Sequence, residues 1–519
     1  MSDKLQRLKA ILNDVSDLDM TANLLEWDQS TYMPPGGGEA RADHLATVRR
    51  LQHERLTGDE VGRLLEDIAQ EGGLGEEDSD DACIVRVVKE DYERRRKVPA
   101  SLVAELARHV SLAHGIWVRS RAESDFSLFQ PALETMVELK RRQAEALGPS
   151  GCLYDALLHE FEPFMKTAQV KAVFDGLKVE IVPLVKAVGG AGDSVSDAVL
   201  RQRFDVGAQR EFVVAVVRRL GFDFDRGRLD LTVHPFCTNM SPGDVRLTTR
   251  FDPEFLGTAL FGTIHESGHG MYEQGIPPAL RRTTLGTGAS LGFHESQSRL
   301  WENILGRSRG FWRHFYPELQ AAFPQLAPVG LETFYRAINI VRPSFIRVEA
   351  DELTYSLHIM LRFELEQDLL DGRVRVADAP AAWNSKMQEY LGLTPPNDAL
   401  GVLQDVHWSI GYIGYFPTYA LGNILSVQLY EKAILDAPGI PAAVERGEFS
   451  PLLAWLREKI HRHGRKYPPA ELIRRVTGGP LDSGPYVRYL KTKFGEIYSR
   501  PARSISSASG RGRSRPRSQ

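Results

Sequence analysis

Apolar side chains recur three and four residues apart through nearly every long segment of this chain, and that spacing constrains the fold more than any other feature. Leu5, Leu8, Ile11, Leu12 and Val15 open the pattern, and "LRFELEQDLL" at 361–370 continues it far downstream. A helix turns about 100° per residue, so residues at this spacing form a stripe that must be buried against a neighbour. The interruptions are short. "MPPGGGEA" at 33–40, "EGGLGEEDSDDA" at 71–82 and "VGGAGDSVSD" at 188–197 read as loops between helices. No repeat of fixed period is present, and 519 residues at 42% hydrophobic content can bury a large core. The expectation is a mainly α fold: one large helical domain over residues 1–499.

The last twenty residues, "RPARSISSASGRGRSRPRSQ", break the pattern with six arginines and no acid. This segment, 500–519, reads as a disordered arginine- and serine-rich tail. The formal net charge is −4, so the body without the tail is near −10 and does not read as a nucleic-acid binder. Three scattered cysteines, Cys83, Cys152 and Cys237, give neither a disulfide framework nor a cysteine-based zinc site. The N-terminus lacks the apolar core of a signal peptide and no stretch is long enough to span a bilayer, so a cytoplasmic protein without a membrane partner is expected.

One region departs from the helical period. Between 229 and 251, "LDLTVHPFCTNMSPGDVRLTTRF" reads as two short β segments around the turn "NMSPGD". A small sheet beside the following helix could hold an extended peptide by main-chain hydrogen bonds. That helix carries "FGTIHESGHGMYEQG", residues 261–275. Positions four apart share a helix face, so His265 and His269 can grip one zinc ion while Glu266, rotated beside them, can reach a water without being a ligand. Leu256, Ala259, Leu260 and Ile264 mark the packed side of the same helix. A catalytic zinc needs a third protein ligand. The metzincin continuation is absent, because Tyr272 and Gly275 stand where it needs glycine and histidine. The next segment, "LGFHESQSRLWEN" at 291–303, offers His294, Glu295 and Glu302, and spacing does not choose among them.

"HESGH" followed by "HESQS" resembles the carboxypeptidase Taq family of zinc metallocarboxypeptidases, and "WDQSTYMPPGG", "HPF", "DVRLT", "IRVEAD" and "GVLQDVHW" agree with that family in order. The resemblance spans most of residues 20–425. It implies an elongated helical metallopeptidase with a deep groove, a homodimer, and release of single amino acids from peptide C-termini with broad specificity. It also implies Glu295 as third ligand beside His265 and His269, one Zn2+ per chain with Co2+ the expected substitute, and Glu266 as general base.

A carboxypeptidase must hold a free carboxylate, and a guanidinium fork matches its two oxygens. The family pattern puts Arg347 of "IRVEAD" in that role; the bland alternative is a surface ion pair with Asp351 four residues on. "HWSIGYIGYFPTY" at 407–419 gathers His407, Tyr412 and Tyr415. Its Tyr-x-x-Tyr-Phe spacing resembles helical zinc dipeptidyl carboxypeptidases, which implies Tyr415 for the oxyanion, with His407 as a second group there, and Tyr412 for substrate. Asp244, Arg246 and Thr248 would share a strand face, either as outer support for the metal or as an internal ion pair. Two other functions fit the half-site: a zinc oligopeptidase cutting internal bonds, and a non-catalytic zinc protein with a nucleic-acid-binding tail.

Overall fold

The helix Pro417–Asp436 is apolar on both faces, and the fold is organised on its two sides. Ala420, Leu421, Ile424 and Val427 enter one core cluster with the helices Gln130–Leu147 and Tyr355–Leu370. Leu425, Leu429 and Ala433 enter a second, shared with Gly257–Gly275 and the small sheet. A helix that is hydrophobic all round has to be central. A third cluster joins Leu5, Leu8, Ile11 and Leu12 of the first helix to Val61, Leu65 and Ile68 of the helix Asp59–Glu71. The computed structural model describes residues 3–72, 74–190 and 194–498, so the arginine-rich segment 500–519 lies outside it. Among the described residues the fold is mainly α, as the periodicity requires, and no helix is long and apolar enough to cross a membrane.

The sheet has three strands where two were expected. Strand β1 (Gly227–Leu231) runs parallel to β3 (Asp244–Thr249), and β2 (Cys237–Ser241) pairs antiparallel to β3 on its other side. β1 is illegible as a strand because its alternation is only five residues long, with Leu229 the one buried apolar side chain. Asp244 and Arg246 form a two-bonded ion pair of 2.9 and 2.8 Å, and the Arg246 guanidinium lies 4.1 Å over the Trp27 ring. Thr248 bonds instead to the backbone of Phe236. The "DVRLT" charges therefore form the internal ion pair and fasten the first helix to the sheet.

Close packing of three helices places His265, His269 and Glu295 side by side. Leu291–Arg299 is wedged between Gly257–Gly275 and Pro417–Asp436, and a glycine makes each approach possible. A Cβ on Gly268 would lie 2.6 Å from Ser298 Cα, and one on Gly422 would lie 2.5 Å from Cβ and Cγ of Glu295. Non-bonded carbons separate at about 3.5–4.0 Å, so even a methyl at either site forces the helices apart. Gly262, one turn before His265, meets nothing within 4 Å, so that side of the helix is open. Gly268→Ala is expected to cost about 1–3 kcal/mol by overpacking and to weaken metal affinity with it. Denaturant unfolding and metal titration of the variant would check both, and wild-type values in both would contradict the packing account.

Candidate metal centre

His265 and His269 stand one turn apart with their rings 5.1 Å apart and nearly perpendicular. Glu295 projects between them from the wedged helix: its Oε2 is 3.7 Å from His265 Nε2 and 3.6 Å from His269 Nε2. The three donor atoms lie within 4.8 Å of one another. Ligands about 2.0–2.1 Å from a tetrahedral ion sit roughly 3.4 Å apart, so these spacings fit a zinc-sized ion with little adjustment.

The outer nitrogens of both imidazoles are spoken for. His265 Nδ1 lies 2.9 Å from Glu302 Oε2, and since a carboxylate only accepts, Nδ1 carries a proton and Nε2 is the nitrogen turned toward Glu295. His269 Nδ1 lies 3.1 Å from His294 Nδ1, and His294 Nε2 lies 2.6 Å from Glu273 Oε1. Glu273 in turn accepts from the Asn239 amide on β2. Glu273 accepts from His294 Nε2; with His294 Nδ1 accepting in turn from His269 Nδ1, the His269 Nε2 lone pair would face Glu295. His294 and Glu302, left open as ligands by spacing, are thus the groups that orient the two histidines.

Burial would push the Glu295 carboxyl up, but Arg299 and His265 outweigh it and hold it far below the carboxylate range. Arg299 donates to Glu295 Oε1 at 2.6 Å and to Glu302 Oε2 at 3.1 Å, and Arg307 adds a bond of 3.2 Å to Glu302 Oε1. Glu302 is likewise held ionised, burial being overcome chiefly by Arg299. Burial lowers His269 to about 4, leaving it neutral, as a ligand must be. His265 is also opposed by burial but is raised by Glu295 and Glu302, the mark of a site whose negative field calls for a cation. Glu266 is 7% exposed, burial raises it to about 7, and no side chain among the described residues donates a hydrogen bond to its carboxylate.

The facing wall carries the remaining candidates. Arg347 lies in a short 3-10 turn, buried, and its partner is Asp405, with Nε at 3.0 Å and Nη2 at 2.8 Å from Oδ1. The alternative pair with Asp351 does not form: Asp351 accepts instead from the backbone N–H groups of Leu353 and Thr354, in the turn that precedes the next helix. Asp405 also takes Arg362 Nε at 2.7 Å and is held ionised, burial being outweighed by Arg347 and Arg362. His407 sits beside it, lowered to about 3 by burial despite Asp405, and its Nε2 is 3.3 Å from the Tyr419 hydroxyl. The Tyr415 ring is 5.3 Å from that of His407 and stacks on Tyr412 at 5.4 Å. Burial, aided by Glu295, raises Tyr415 to about 12, so it is a protonated donor at neutral pH. Tyr412 is 42% exposed. The structure therefore assembles His407, Tyr412 and Tyr415 in one cluster. Asp405 and Tyr419, unassigned from sequence, belong to it; Asp405 lies within the quoted "GVLQDVHW", which is the only signal it leaves.

Comparison with known proteins gives the family. The family profile described as carboxypeptidase Taq (M32) metallopeptidase matches residues 7–494. The chain is 42% identical over 489 residues to carboxypeptidase 1 of Bacillus subtilis, covering 94% of this chain and 97% of that protein. It is 40% identical over 502 residues to thermostable carboxypeptidase 1 of Thermus thermophilus, covering 95% and 98%. The crystal structure of an M32 carboxypeptidase from Deinococcus radiodurans superposes with a TM-score of 0.93 at 42% identity, over 96% of this chain and all of that one. With profile, sequence and fold in agreement over almost its whole length, the chain belongs to the carboxypeptidase Taq (M32) family of metallopeptidases.

Proposed function

We propose that this protein is a zinc-dependent carboxypeptidase that releases single amino acids from the C-termini of peptides with broad specificity. The observation that carries the reading is the convergence of His265 Nε2, His269 Nε2 and one Glu295 oxygen, with Glu266 buried and unbonded next to them. Zinc, which Co2+ is expected to be able to replace, would acidify a water and polarise the scissile carbonyl. Glu266 takes the proton of the attacking water and returns it to the departing amine, roles suited to a carboxyl raised to about 7. Tyr415, a neutral phenol, donates to the oxyanion as it develops, and neutral His407 beside it is the second group for that charge.

Arg347 is the clamp for the substrate carboxylate. Asp405 and Tyr355 occupy three of its five donors, which leaves one hydrogen on each Nη for a substrate carboxylate. Asp405 holds the guanidinium in place while Tyr412, exposed and stacked on Tyr415, contacts the peptide. The edge strand β2 offers main-chain groups to an extended substrate beside the metal helix. The whole assembly is read as a cytoplasmic homodimer acting on peptides with free C-termini.

Glu266→Gln is expected to keep its metal and lose about 10²–10⁴-fold or more in kcat, because proton transfer alone is removed. Metal analysis with steady-state kinetics would show this; full turnover in the metal-loaded variant would end the general-base assignment. Arg347→Lys is expected to raise KM for peptides with a free C-terminus about tenfold or more while C-terminally amidated peptides, poor substrates for the wild type, lose nothing further. Equal losses on both substrate types would remove Arg347 as the carboxylate clamp.

A further inference from the structure

The helix Tyr355–Leu370 carries a charged face turned into the core, not toward solvent. Arg362 is wholly buried and Glu366 is 1% exposed, one helical turn apart. An Arg and a Glu at this spacing ordinarily pair with each other on a surface. Here each reaches instead for the segment 404–416, which bears His407, Tyr412 and Tyr415. Arg362 donates to Asp405 Oδ2 and, through Nη2, to Gln404 Oε1, both at 2.7 Å. Glu366 accepts from the Trp408 indole N–H at 2.9 Å on Oε1, and on Oε2 from the Gly414 backbone N–H at 3.1 Å and the Tyr154 hydroxyl at 2.7 Å. Indole and backbone N–H groups can only donate, so both carboxyl oxygens act as acceptors in this geometry.

The far end of the segment is fixed from below as well. Gly414 has φ +99°, and a Cβ there would lie 2.9 Å from the backbone of Leu157 and Leu158. Gly414, directly before Tyr415, is thus pressed against one backbone and tied to the Glu366 carboxylate. Phe161 closes the remaining side, 5.1 Å from the Tyr415 ring and 5.7 Å from Tyr412. Three converging donors in a dry interior are costly to leave unpaired, which makes this register a single well-defined state.

We propose that Glu366 is a positioning residue for catalysis: by holding Trp408 and Gly414 from one side chain, with Arg362 holding Gln404 and Asp405 a turn earlier, it sets the placement of Tyr415 and its hydroxyl. This rests on the reading of Tyr415 as the oxyanion donor. A hydroxyl displaced by about 1 Å can cost on the order of 10²-fold in rate, with no change in the groups that hold the metal.

The test is a double-mutant cycle on the metal-loaded enzyme with Glu366→Leu, Tyr415→Phe and the pair, reading kcat and bound metal. Glu366→Leu is expected to lower kcat about 100-fold at unchanged metal content, and the double variant is expected to fall no more than about threefold below Tyr415→Phe alone, because both remove one function. If the Leu variant does not fold, Glu366→Gln carries the same cycle: it keeps one acceptor oxygen and is expected to lose about tenfold, again without adding to Tyr415→Phe. Losses that multiply, or a Glu366 variant with wild-type kcat and only a lowered melting temperature, overturn the proposal. A Tyr415→Phe enzyme with full kcat overturns the oxyanion reading itself, and the positioning role falls with it.

Discussion

Everything in the candidate site depends on how closely the helix Leu291–Arg299 can sit against its two neighbours. The candidate third ligand, Glu295, can serve only by reaching into the gap between His265 and His269, and that reach is set by backbone separation. Gly268, inside the histidine motif, and Gly422, in the central helix, supply it from opposite sides. The middle residues of "HESGH" are therefore not neutral spacers, since Gly268 is a packing requirement. The metal site and the core are one construction, because the helices that carry the donors also carry the apolar stripes of the second core cluster.

A second layer turns that packing into chemistry. Arginines and carboxylates alternate around the donors: Arg299 between Glu295 and Glu302, Arg307 on Glu302, Asp405 between Arg347 and Arg362. Buried charges are tolerable when each is paired and hydrogen-bonded, and these are. The consequence is a fixed set of protonation states: ionised Glu295 and Glu302, neutral His269 and His407, phenolic Tyr415. Glu266 stands apart from this network, with burial raising its carboxyl to about 7.

Much of this was legible in the sequence, and what was hidden was hidden for physical reasons. The helical period predicts the fold class because it reports burial directly, and the four-residue histidine spacing predicts a shared face. Spacing alone could not separate Glu295 from His294 and Glu302. All three lie close in sequence: His294 and Glu295 are adjacent on one α-helix and so point to different sides, while Glu302 lies in the π-helix Leu300–Leu305 and meets the outer nitrogen of His265. Arg347 and Asp351 sit four apart and suggested a helical pair, yet the turn between them is too short to be one, and Asp405, 58 residues away, takes the guanidinium. Glu366 was masked in the same manner, since within "LRFELEQ" it looks like the solvent partner of Arg362. Buried charge is what periodicity reads least well, because it assigns polar residues to the outside by default.

The functional reading stands or falls on whether a metal held by His265, His269 and Glu295 cuts peptides from the free C-terminus. The decisive experiment tracks a short peptide by mass, with enzyme that has been stripped by a chelator and with the same enzyme reloaded with zinc. Stepwise loss of single C-terminal residues is expected from the reloaded enzyme and none from the stripped one. Internal fragments, or cleavage that survives the chelator, would contradict the reading.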